Sequence, residues 1–73
     1  MAADSVYKVI ELIGTSSESW EKAARTAVER AAESLRDLRI AEVTAQDVQL
    51  KDGEVELFRT KLKVSFKYEK GSD

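Results

Sequence analysis

The chain has 73 residues, no cysteine and no histidine, and sets 12 Lys+Arg against 14 Asp+Glu. Disulfides, Cys/His zinc sites and histidine-based catalysis are thereby excluded, and the balanced charge argues against a nucleic-acid binder, which carries a basic footprint. A chain this short makes one domain, residues 1–73, whose single core supplies no more than about 3–5 kcal/mol, so association of copies is the staple that remains.

No apolar run approaches the roughly 18 residues of a membrane span. The N-terminus lacks a signal-peptide pattern, so a cytoplasmic protein is expected.

The first element is "SVYKVIELIG". It places Val6, Lys8, Ile10 and Leu12 on one face and Tyr7, Val9, Glu11 and Ile13 on the other, and it ends at Gly14. This alternation of β-branched residues predicts a strand. "TSSES" follows with several hydroxyls able to cap a helix, and Thr15 with Glu18 fits a capping box. A phosphate could also sit at such a helix start, but simple capping is the commoner use of these serines.

From Trp20 the apolar residues Trp20, Ala24, Ala27, Val28, Ala31, Leu35 and Leu38 recur at helical spacing. They predict a helix of about 20 residues, roughly 30 Å long. The alanine-rich stripe lets that helix lie close on a sheet. Trp20, in the first turn, is expected to pack on the sheet rim rather than to stack on a ligand.

The remaining chain reads as a hairpin. "KDGE" places Asp52 and Gly53 at the centre of a tight turn. A two-residue loop pairs Lys51 with Glu54, Val48 with Leu57, Asp47 with Phe58, Gln46 with Arg59, Ala45 with Thr60, Val43 with Leu62 and Ala41 with Val64. On this register Ala41, Val43, Phe58, Leu62, Val64 and Phe66 face the helix. Val48, Leu50, Val55 and Leu57 form an apolar patch on the other face. Asp47 and Arg59 lie on opposite faces, so an ion pair between them is not expected, whereas Arg59 could reach Glu42 of a neighbouring copy. The helix covers one face of the sheet and leaves the second to another subunit. The fold class is therefore α+β, in the order β-α-β-β, with a three-stranded antiparallel sheet wrapped on one helix.

"VYKVIELIGTS", "LRDLRIAEV", the "KDG" turn and "TKLKVSFKYE" together resemble the dodecin family over nearly the whole chain. The resemblance implies a hollow homododecamer that binds small ligands and is not an enzyme. The family default is flavin (FMN or riboflavin) stacked between tryptophans, and some members bind coenzyme A. The ligand-contacting positions fall on Ile40, Gln46 and Arg59. Here Ile40 stands where the stacking tryptophan is expected, and Arg59 where a flavin-contacting glutamine is expected. Isoleucine offers no π face, and a fixed cation favours an anionic partner, so weakened flavin binding is expected. "SW", Ile40, "QDV" and Arg59 resemble instead a minority, calcium-binding branch of the family. Calcium takes about six to eight oxygen ligands. The candidates are Glu11, Glu42 and Asp47 repeated around a symmetry axis, each of which could equally serve in a salt bridge. A purely structural assembly is the third reading. No catalytic constellation is visible without His or Cys.

Overall fold

A computed structural model describes residues 4–68. The order is β1 (Tyr7–Ser16), α1 (Trp20–Ala32), β2 (Leu38–Lys51) and β3 (Glu54–Lys67). The sheet is antiparallel with β3 in the centre, in the order β1-β3-β2. Among the described residues no helix is long and apolar enough to cross a membrane.

α1 is shorter than the periodicity predicts, with 13 residues instead of about 20. The last turn still closes, Leu35 N donating to Ala31 O at 2.9 Å. Asp37 then takes a left-handed conformation at φ 59° and turns the chain into β2. Leu38 is a strand residue, yet it packs with Ala27, Leu62 and Val64. An apolar side chain at that spacing meets the core from either element, so the helical period could not locate the helix end. The start also differs. Ser19 is the N-cap and accepts from Lys22 N at 3.0 Å, while Thr15 lies inside β1. Ser16 Oγ accepts from the Glu18 and Ser19 amides and so shapes the turn before the cap.

α1 packs over β1 and β3 and barely touches β2. Its buried line is Ala23, Ala27 and Ala31, set against Leu62 and Val64 with Ile10 and Leu12 alongside. Gly14 makes this close approach possible. A Cβ there would overlap the Ala23 carbonyl oxygen and sit 3.0 Å from Ala27 Cβ. Thr60, fully buried, donates its hydroxyl to Trp20 O at 2.8 Å and ties the first helical turn to the central strand.

The hairpin register agrees with expectation at Lys51–Glu54, Val43–Leu62 and Ala41–Val64, but slips by one residue between them. Glu56 is an extra residue in β3 and Thr44 an extra residue in β2, so the second irregularity cancels the first. Thr44 Oγ1 donates to Lys61 O at 3.2 Å across its bulge. A one-residue slip exchanges faces. Val48 therefore opposes Phe58 on the helix side, and Leu57 opposes Gln49 on the other. The patch expected from Val48, Leu50, Val55 and Leu57 is thus divided. Leu50 and Val55 still oppose one another near the turn and remain 62% and 52% exposed.

Gly14→Ala is expected to destabilise the fold by roughly 1–3 kcal/mol, because the clash is with main chain that cannot rotate aside. Thermal melting checks this. An unchanged melting temperature would show that α1 can move off β1 without loss.

Candidate functional site

The register slip creates the main polar constellation. Asp47 opposes Arg59 directly, and the two carboxylate oxygens accept from Arg59 Nε at 2.7 Å and from its terminal nitrogen at 3.0 Å. This intrachain pair overturns the sequence expectation that Asp47 and Arg59 lie on opposite faces. A signal for it was present. Val43 and Val48 both suit the helix side, yet they stand an odd number of residues apart, which an unbroken alternation cannot satisfy. The same holds for Val55 and Phe58 on β3.

Trp20 joins this constellation from the helix. Its indole N–H donates to Asp47 O at 3.0 Å, and its ring meets Phe58 edge to face at 5.1 Å between centroids. The indole N–H clasps β2 and the carbonyl oxygen receives the Thr60 hydroxyl, so both serve packing, as expected of a rim tryptophan. Arg59 and Asp47 thus brace the sheet at the place where α1 begins.

The face of the sheet away from α1 carries the remaining candidates. Glu11 and Glu42 both oppose Lys63, one from each side, so the three residues form a row across the sheet. Two strand spacings separate the carboxylate-bearing backbones by about 10 Å. Neither glutamate makes an ion pair among the described residues. In the next row Lys61 opposes Ile13 and Ala45, and a depression of about 400 Å³ opens between Glu11, Ile13, Thr44 and Lys61.

Ile40 opposes Ser65 and is 66% exposed, while Gln46 opposes Thr60 on the helix side. Six strand residues, about 20 Å, part Ile40 from Gln46. One chain therefore does not bring Ile40, Gln46 and Arg59 together. Nor does it gather Glu11, Glu42 and Asp47, and among the described residues no group of three or more metal-capable side chains occurs.

Known proteins of similar sequence and fold fall in one family. The family model described as Dodecin matches residues 6–69. A calcium dodecin from Mycobacterium tuberculosis is 52% identical over 63 residues, covering 86% of this chain and 89% of that protein. The crystal structure of calcium dodecin from the same organism, described as having a novel calcium-binding site, superposes with a TM-score of 0.81 at 48% identity, covering 94% of this chain and 99% of that one. Dodecin from Streptomyces coelicolor superposes with a TM-score of 0.89 at 38% identity, with the same coverage of each chain.

The hydrogen bonds from Arg59 hold the Asp47 carboxyl below its ordinary value of 3.8, against the opposing effect of desolvation, and Lys61 adds to the lowering. Asp47 in turn raises Arg59. A depressed carboxylate contributes stability that is present above its unfolded value and is lost as pH falls through the folded one. Asp47→Asn is therefore expected to lower the denaturation midpoint at pH 7, with the gap to the parent protein narrowing as pH falls below 3.8. Urea titrations at pH 7 and pH 2.5 compare the two, and a gap of constant size would mean that the ion pair contributes nothing.

Proposed function

The chain belongs to the dodecin family, and on that premise we propose that it forms a multi-copy shell that sequesters a cation, of the calcium type, rather than flavin. The observation that carries this reading is the doubly hydrogen-bonded Asp47–Arg59 pair. It occupies the guanidinium that would otherwise meet a ligand, while Ile40 offers only aliphatic surface where an aromatic clamp is expected. Ile40 then supplies no stacking for an isoalloxazine, and Arg59 has two of its five donors already engaged. The exposed acidic side chains of the outer face remain.

Carboxylate oxygens suit a hard cation such as calcium, which needs more of them than one chain gathers. Of these candidates, Glu11 and Glu42 make no competing ion pair among the described residues. Asp47 would have to leave Arg59 to join them. A complete set therefore comes from several copies meeting at a symmetry axis, and the twelve-copy arrangement of the family provides such axes. Lys63, between the two glutamates, disfavours a cation held by one chain alone and is the charge that a bound ion would displace. Binding is the chemistry this arrangement offers; among the described residues its candidate groups are carboxylates and cations suited to holding an ion.

Two titrations test the proposal. Equilibrium dialysis against calcium is expected to show retained metal, reduced by Glu42→Gln and by Glu11→Gln. Fluorescence titration with FMN is expected to show little quenching by the parent protein, and a gain of about 5- to 150-fold in affinity for Ile40→Trp, the worth of one stacked ring. Micromolar FMN binding by the parent protein, with no metal retained, would instead make this a flavin shell built without an aromatic clamp.

A further inference from the structure

The outer face of β3 carries cations that a bound metal ion does not use. Arg59, Lys61 and Lys63 alternate along the strand, and the residues between them, Thr60 and Leu62, are buried on the helix side. Arg59 and Lys61 therefore share the outer face, about 7 Å apart along the backbone. Asp47 stands opposite Arg59, and Glu11 and Glu42 stand opposite Lys63. Lys61 faces Ile13 and Ala45 instead, is exposed, and makes no ion pair among the described residues.

The Arg59 guanidinium already holds an anion. The Asp47 carboxylate takes its hydrogen bonds at 2.7 and 3.0 Å, in the fork geometry that suits a carboxylate or a phosphate. The seat is open to solvent, the two side chains being 34% and 41% exposed. Lys61 acts on the same carboxylate from the next row, adding to the fall in its pKa, yet stays beyond ion-pair distance. Asp47 thus engages one of two neighbouring cations. A phosphate dianion has a further oxygen and a second charge, and can span both. Beside Lys61 the depression of about 400 Å³ runs past Ile13 and Thr44 to Glu11. It has room for a small organic body, an aliphatic wall at Ile13, and in Glu11 a carboxylate able to accept from a hydroxyl.

We infer that Arg59 and Lys61 form a binding site for a small phosphomonoester, its organic part lying in the depression beside Ile13, and that Asp47 is the resident occupant which the phosphate displaces. This site is separate from the cation reading and needs no metal. With Asp47 seated, the charges of Asp47, Arg59, Lys61 and Glu11 cancel, so the site draws no anion from a distance. With Asp47 turned away a cationic surplus remains. An exposed ion pair costs little to break, so the exchange lies within reach of a dianion. Only the side chain has to rotate, because the Trp20 indole N–H holds the Asp47 carbonyl oxygen at 3.0 Å.

Isothermal titration of the full chain in metal-free buffer tests this, with glycerol 3-phosphate as the probe and glycerol as its uncharged control. The parent protein is expected to bind the phosphomonoester weakly and glycerol not at all. Asp47→Asn is expected to bind it about fivefold more tightly, the upper worth of an exposed ion pair. Glu54→Gln removes the same charge where β3 begins, beyond the reach of screened electrostatics, and should leave the affinity within about twofold of the parent. Lys61→Gln leaves both Asp47 hydrogen bonds in place. It should keep the melting temperature and lose the binding, in the parent and in Asp47→Asn alike. A fall in affinity in Asp47→Asn would overturn the inference, since Asp47 would then position Arg59 rather than block it. An equal gain from Glu54→Gln, binding indifferent to Lys61→Gln, or no binding by either protein would overturn it too. Because the buffer holds no calcium, the cation reading stands or falls separately, on the dialysis experiment.

Discussion

A length mismatch governs this molecule. α1 has 13 residues, about 20 Å, while β2 and β3 have 14 each, about 46 Å. A helix can cover only the stretch of sheet that it spans, and this one lies over β1 and β3. Its contact is close because the buried line is alanine and because Gly14 presents no side chain beneath Ala23. Closeness comes at the expense of volume. The fully buried side chains are small in number, and most of β2 has no helix above it. The overhanging tip and the bare strand are both consequences of the same mismatch, and at the tip Leu50 and Val55 stay exposed.

The two compensating bulges act on a smaller scale. Between Thr44 and Glu56 the strands run one residue out of the register found on either side. That short slip turns Val48 toward Phe58 and brings Asp47 opposite Arg59, with Trp20 reaching across to the Asp47 carbonyl. The aromatic contact, the indole hydrogen bond and the ion pair gather where the helix begins. They stiffen the root of the overhanging hairpin.

Ligand chemistry follows from which side chains this bracing leaves free. Arg59 is committed to Asp47, and Ile40 is aliphatic and exposed. Among the described residues, Glu11 and Glu42 flank Lys63 without closing an ion pair. Among the described residues the outer face is a surface of alternating charge that gathers no group of three or more metal-capable side chains, so on the proposed reading a site is completed only when copies meet.

The sequence by itself determined the order of elements, the hairpin turn at Asp52–Gly53, the central pairings of Ala41 with Val64 and Val43 with Leu62, and the family. Those features rest on local chemistry: alternation, left-handed turn residues and an alanine stripe. Tertiary structure alone decided three others. Where α1 ends was illegible, because Leu38 continues the apolar spacing whether it is helical or extended. Ser19 rather than Thr15 became the cap, since pairing with β3 carried β1 on to Ser16. The Asp47–Arg59 pair needed the register slip, and a slip is set by which apolar residues must reach the helix, not by the turn that begins the count. Counting outward from a turn assumes an unbroken ladder. Burial broke it, because placing Val48 opposite Phe58, whose ring meets Trp20, outweighs keeping every strand bond in step.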